Sequence, residues 1–154
     1  MTEHGELLYK AVIPFEPKSK KNNLCIKFKK QAGANALYKN SKYGMVLMGI
    51  PFVSQSDTYK QYERDCVYWL RRPQNGTINE KINIRYLFYR SNRIRVDIGN
   101  LVAAADDILV KFNIIQDDYW GIVGGHDGSR VFIDKDNPRT EIYIERWCDD
   151  GKEN

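Results

Sequence analysis

Arg93-Ile94-Arg95-Val96-Asp97-Ile98-Gly99-Asn100-Leu101-Val102-Ala103-Ala104-Ala105-Asp106-Asp107-Ile108-Leu109-Val110-Lys111-Phe112-Asn113-Ile114-Ile115-Gln116-Asp117-Asp118 is the stretch on which the fold turns. A basic, β-branched run ends at Asp97. An aspartate there predicts a helix N-cap, because its carboxylate can accept the free backbone N–H groups of the first turn. Leu101, Ala105, Ile108, Leu109 and Phe112 then recur at helical spacing and form one apolar stripe. Asn100, Ala103, Asp107 and Lys111 fall on the opposite side. A short apolar pair, Ile114-Ile115, follows the helix and delivers a second acidic point, Asp117-Asp118.

Outward from this stretch, strands and one further helix are expected. Before it, Asn79 to Arg90 alternates Ile82, Ile84, Tyr86 and Phe88 with Lys81, Asn83, Arg85 and Leu87, the period of a strand. Ser54 to Arg71 reads as a helix capped by Ser54 or Ser56 and ended by Pro73. Its Tyr59, Tyr62, Cys66, Trp69 and Leu70 line one face; such a stripe is a packing face far more often than a base-stacking platform. Leu7 to Phe15, with Pro14 marking an edge, is a first strand. Leu24 to Phe28 is a second, half-buried through Leu24, Ile26 and Phe28. Gln31 to Tyr43 reads as a mobile loop, and Met45 to Ile50 as a short strand stopped by Pro51. After the organising stretch, Tyr119 to Val123, Val131 to Ile133 and Glu141 to Trp147 are strand-like, with a glycine turn at Gly124 to Gly128. The sum is one α+β domain over residues 1–154, ordered over 6–148: a mixed, mainly antiparallel sheet with two main helices.

Composition fits that picture. The chain has 154 residues, 42% of them hydrophobic and 29% charged, enough for one core. No apolar run is long enough for a bilayer, so no membrane partner is expected. Met1 to Glu6 is polar and does not resemble a secretory signal, which points to a cytoplasmic protein. Cys25, Cys66 and Cys148 form no Cys-x-x-Cys pair, as for reduced thiols rather than a zinc site. The net charge of +4 permits a polyanionic partner. Lys18, Lys20, Lys21, Lys27, Lys29 and Lys30 crowd one segment, and Arg90, Arg93 and Arg95 lead into Asp97. Solvated edge-strand lysines explain the first group equally well.

Carboxylates at both ends of one helical unit, with arginines leading in, suggest metal-assisted phosphodiester chemistry. Mg²⁺ takes hard oxygen ligands and keeps several waters, so Asp97, Asp117 and Asp118 are suitable ligands. Asn100, one turn after Asp97, could orient a ligand or a phosphate. Geometry constrains this, since a helix from Ile98 to Phe112 is about 20 Å long. Either Ile114 to Asp118 runs back beside the helix, or a second subunit supplies one carboxylate. Ordinary local structure also accounts for these residues: Asp97 is a good N-cap and Asp117-Asp118 a polar turn. His126-Asp127 is explained by its glycine-flanked turn.

The pattern Asp97-x-x-Asn100-Leu101, an Ala-rich helix and then Asp117-Asp118 resembles the RusA family of Holliday junction resolvases. Ile13-Pro14-Phe15 with Pro17 and Asn22-Asn23 is similar to that family's opening, Pro51-Phe52-Val53 to its helix entry, and Asn137-Pro138-Arg139 with Glu141 to Ile144 to the closing strand of phage-borne members. The resemblance implies a homodimeric endonuclease that uses Mg²⁺, or Mn²⁺ in its place, to cut branched DNA symmetrically in a bacterial or phage-infected cell. It implies Asp97 as first catalytic carboxylate, Asp118 as last, Asp117 beside it and Asn100 as the motif asparagine. Arg93, Arg95, Lys20, Lys21, Asn23 and Lys111 would contact DNA. Two positions depart: Gly99 stands where the best-known members carry a second carboxylate, and Ala103 where they carry a lysine. Asp117 is then the candidate replacement ligand, and Arg95 or Lys111 the replacement cation. The alternative is a catalytically weak branched-DNA-binding protein on the same fold.

Overall fold

The computed structural model describes residues 5–149. Along the chain run β1 (Leu7–Ile13), β2 (Leu24–Lys29), β3 (Leu37–Ser41), β4 (Gly44–Gln55), α1 (Asp57–Cys66), β5 (Ile82–Arg90), α2 (Ile98–Lys111), β6 (Val123–Gly125), β7 (Arg130–Ile133) and β8 (Arg139–Arg146). β5 is the hub of a five-stranded sheet in the order β1-β8-β5-β6, with β7 also paired to β5. β8 is antiparallel to β1 and β5, whereas β6 and β7 run parallel to β5, after the crossover through α2. A second, three-stranded antiparallel sheet has the order β2-β4-β3. The domain is therefore α+β, as its sequence predicts.

Alternation decides which side of the large sheet is dry. Ile82, Ile84, Tyr86 and Phe88 of β5, Ile142 and Ile144 of β8, and Tyr9, Ala11 and Ile13 of β1 are buried. They form one cluster with Tyr59, Tyr62 and Cys66 of α1 and Leu101, Ala104, Ile108 and Leu109 of α2. Each fully buried large side chain contributes about 1.5–3 kcal/mol of transfer free energy. The other face carries cation–aromatic stacks: the Arg85 guanidinium lies 4.2 Å from the Tyr143 ring and that of Arg139 3.6 Å from Tyr89.

Several expectations are corrected. Gln31 to Tyr43 is not all loop, because Leu37–Ser41 pairs with β4 as a hairpin. All five β3 residues are exposed, so no hydrophobic period betrays them, and pairing overrides their weak strand preference. β4 does not stop at Pro51 but continues to Gln55. β3 pairs with β4 only as far as Gly49, so beyond it β4 has one neighbour and tolerates a proline. The first helix is shorter than Ser54 to Arg71. Ser56 caps it, its hydroxyl accepting from the Tyr59 N–H at 3.1 Å, and a 3-10 turn replaces it at Val67–Trp69. Trp69 leaves the packing stripe and stands half exposed, edge-on to Phe15.

Tyr119 to Ile122 is a turn rather than a strand, with the Tyr119 carbonyl accepting from Ile122 and Val123. The strand comes later and takes in Gly124 and Gly125. A Cβ on Gly124 would lie 2.5 Å from the Trp147 ring, so that glycine admits the tryptophan. In β2 the alternation is right but its buried side is not: Leu24 and Ile26 are exposed, and so is Val53, the partner of Ile26. Cys66 alone of the three free cysteines is buried. Among the described residues no helix is long and apolar enough to cross a membrane.

Candidate functional site

Both ends of α2 are fixed by local chemistry. At the start, Asp97 is extended and its Oδ1 accepts the Gly99 N–H at 2.8 Å, the expected N-cap. A Cβ at Gly99 would lie 3.3 Å from that same oxygen. At the end, Asn113 adopts a left-handed φ of 56°. Its N–H donates to the Val110 carbonyl and that of Ile114 to Leu109, the pattern of a Schellman cap with asparagine in the glycine position. The chain then turns back. Ile78 N–H donates to Ile114 and Gln116 N–H to Ile78, pinning the return beside the segment that leads to β5.

This return places Asp118 over an open pocket of about 340 Å³, lined also by Lys20, Gln55, Glu63, Asp107, Val110 and Lys111. Burial, followed by the charges of Asp106 and Asp107, raises the Asp118 carboxyl above the usual carboxylate range. Asp118 N–H donates to Asp117 Oδ1 at 2.8 Å. Lys20 Nζ stands 2.7 Å from Asp107 Oδ2, and Lys111 pairs with buried Glu63.

The predicted site residues therefore divide into two groups. Asp117, Asp118, Lys20 and Lys111 gather at the C-terminal half of α2. Asp97, Arg93 and Arg95 stand exposed at its N-terminus, and Asp97 precedes Asp107 by about 15 Å of helix. Asn100 is half-buried on the first turn. Lys21 and Asn23 lie in the 3-10 turn before β2, where the Asn23 amide donates to the Ser19 carbonyl at 2.8 Å. Among the described residues no three His, Cys, Asp or Glu side chains stand together as a metal-ligand set. Asp97, Asp117 and Asp118 thus do not form one within this chain.

Three residues that the sequence left unnoticed or dismissed join the site. Asp106 is buried on α2 and accepts the Tyr86 hydroxyl at 2.7 Å on Oδ1. His126 Nε2 lies 3.0 Å from the same oxygen and 2.9 Å from Oδ2. Its ring stacks on Tyr86, with centroids 5.8 Å apart. A carboxylate among Leu101, Ala104, Ile108 and Leu109, all buried, was the one available signal for Asp106. Beside Asp118, Tyr119 and Trp120 are exposed.

No protein-family model matches this sequence, and no curated protein is significantly similar to it.

Proposed function

We propose that the protein is a Mg²⁺-dependent, structure-specific endodeoxyribonuclease, similar to the RusA resolvases, that resolves four-way DNA junctions by paired symmetric nicks. The setting would be recombination, repair or phage DNA processing in the cytoplasm of a bacterial or phage-infected cell. The observation that carries this is the crowding of Asp118 against Asp106 and Asp107, in an open pocket with lysines at its edge. Carboxylates whose charges oppose one another fit a hard divalent cation. Asp118 and Asp107 would hold it, and waters would complete its shell. Bound Mg²⁺ supplies charge neutralisation, water activation and leaving-group stabilisation. The chain's own part is electrostatic and steric. Arg93, Arg95, Lys20 and Lys21 would take phosphates, Asn100 would orient the strand at the helix start, and Trp120 offers a ring to an unstacked base at the branch. A homodimer would bring the N-terminus of one α2 towards the Asp118 pocket of the other, and two-fold symmetry suits paired nicks.

The second reading, a branched-DNA binder with little cleavage, is favoured by one observation. Gly99 and Ala103 leave the α2 face between Asp97 and Asp107 without a ligand or a cation. Incubating the protein with a synthetic four-way junction and Mg²⁺ or Mn²⁺ separates the two. Symmetric nicks abolished by Asp118→Asn are expected; tight binding without nicks under either metal establishes the binder. Affinity should fall with salt, at a log–log slope of about −0.9 per phosphate contacted. Salt-insensitive or absent binding would exclude both.

A further inference from the structure

We infer that His126 is the proton-transfer residue of this site, positioned by Asp106 and Tyr86. The inference rests on the nuclease reading. The Tyr86 hydroxyl sits in the core, where burial and then the Asp106 charge push its ionisation well above the ordinary phenol value. It therefore keeps its proton at neutral pH and always donates to Asp106. That bond leaves Asp106 anchored with both oxygens towards His126 Nε2. A carboxylate facing Nε2 selects the tautomer that carries its proton there, so the lone pair of the neutral ring lies on Nδ1. Among the described residues Nδ1 has no hydrogen-bond partner, and the side chain is 29% exposed. Tyr86 beneath the ring limits its tilt.

The arrangement adjoins the pocket. Asp118 acts on the Tyr86 hydroxyl, and Asp106 acts on Asp118. The charged and titratable groups around the imidazole are Asp106 from α2, Tyr86 from β5, its chain neighbour Asp127 and, beyond Asp106, Asp107 and Asp118. In the proposed step a water loses a proton to Nδ1 as its oxygen bonds phosphorus. The bond from phosphorus to the leaving oxygen breaks with its electron pair. That oxygen takes a proton from solvent, and the imidazolium later returns its own to solvent. Nothing beyond the DNA phosphodiester, water and the site's cation is consumed or required.

The test compares wild type, His126→Gln and Asp106→Asn on a four-way junction with Mg²⁺, following binding and single-turnover nicking from pH 5 to 9. His126→Gln should bind the junction as wild type does but nick about 10²–10⁴-fold more slowly, the usual worth of a positioned base. The wild-type rate should rise with pH through the imidazole titration and level off, and His126→Gln should lose that rise. Nitrogen-15 spectra of the folded protein report the positioning independently of activity. Wild type should show the Nε2–H tautomer at His126, and Asp106→Asn a mixture. If wild type nicks and His126→Gln nicks within twofold with the same pH profile, the assignment of His126 is overturned while the nuclease reading stands. An Nδ1–H tautomer in wild type overturns it as well. If wild type binds junctions and never nicks, both fall together.

Discussion

Asp118 is a carboxylate held where its charge is unwelcome. Its raised carboxyl means that the folded chain takes up a proton more readily than the unfolded one. The stability linked to that proton is complete below the ordinary carboxylate range and is lost as pH rises through the folded value. At neutral pH the ionised side chain is therefore a net cost. Asp118→Asn should raise stability at pH 7 by no more than about 1 kcal/mol, the scale of partly exposed charge interactions. The gain should shrink in melts below about pH 4, where the wild-type carboxyl is neutral too, while junction nicking falls by more than 10²-fold. Gly99 makes the complementary case. A side chain there starts 3.3 Å from Asp97 Oδ1, so Gly99→Asp would set two carboxylates together at the helix start. It should tighten Mn²⁺ binding, measured by calorimetry, and speed nicking; unchanged metal affinity would show that this end of α2 takes no part. His126 shows where residue-level reading fails. Its partners lie 20 and 40 positions away, so its sequence neighbours, all turn-formers, describe only the turn.

At the level of elements, α2 was legible because everything that defines it is local: a capping aspartate, an apolar stripe and a reversal at its end. Its C-terminus depends on Asn113 in the left-handed region. Asn113→Ala should cost about 1–2 kcal/mol in urea unfolding, since a plain Cβ is disfavoured there, and Asn113→Gly should cost almost nothing. The cap also aims Ile114 to Asp118 at the site, so Asn113→Ala should weaken nicking beyond its effect on stability. β3 and the far half of β4 were illegible for the opposite reason. Lys39, Asn40 and Ser41 say nothing alone, and Pro51 argues against a strand; their conformation comes from partners across the sheet. The candidate site was half legible. Asp117 and Asp118 could be read, but whether they met Asp97 depended on the path after Ile115. That path is fixed by backbone bonds to Ile78, which no pattern predicts.

At the scale of the molecule, the core carries ionisable groups kept neutral. Burial pushes the Cys66 thiol from an ordinary 9.0 to about 12 and the Tyr9 phenol from 10.0 to about 12, and Tyr59, Tyr62 and Tyr86 higher still. Each is raised in the fold, so its contribution is complete below the unfolded value and is lost as pH climbs through the folded one. Urea midpoints should be flat from pH 7 to 9 and then fall, each group adding about 1.4 kcal/mol per pH unit between its two values. A flat profile to pH 11 would mean that these side chains reach water.

The three tryptophans lie apart from that core: Trp69 half exposed, Trp120 79% exposed, and Trp147 against Gly124 at the sheet's end. Their emission in the native state should already be that of wet indoles, so unfolding would shift it little and circular dichroism is the better gauge of denaturation. The same placement makes the intrinsic fluorescence a reporter of docking. Trp120 stands two residues from Asp118, and a nucleobase laid on its ring would quench it without any added dye.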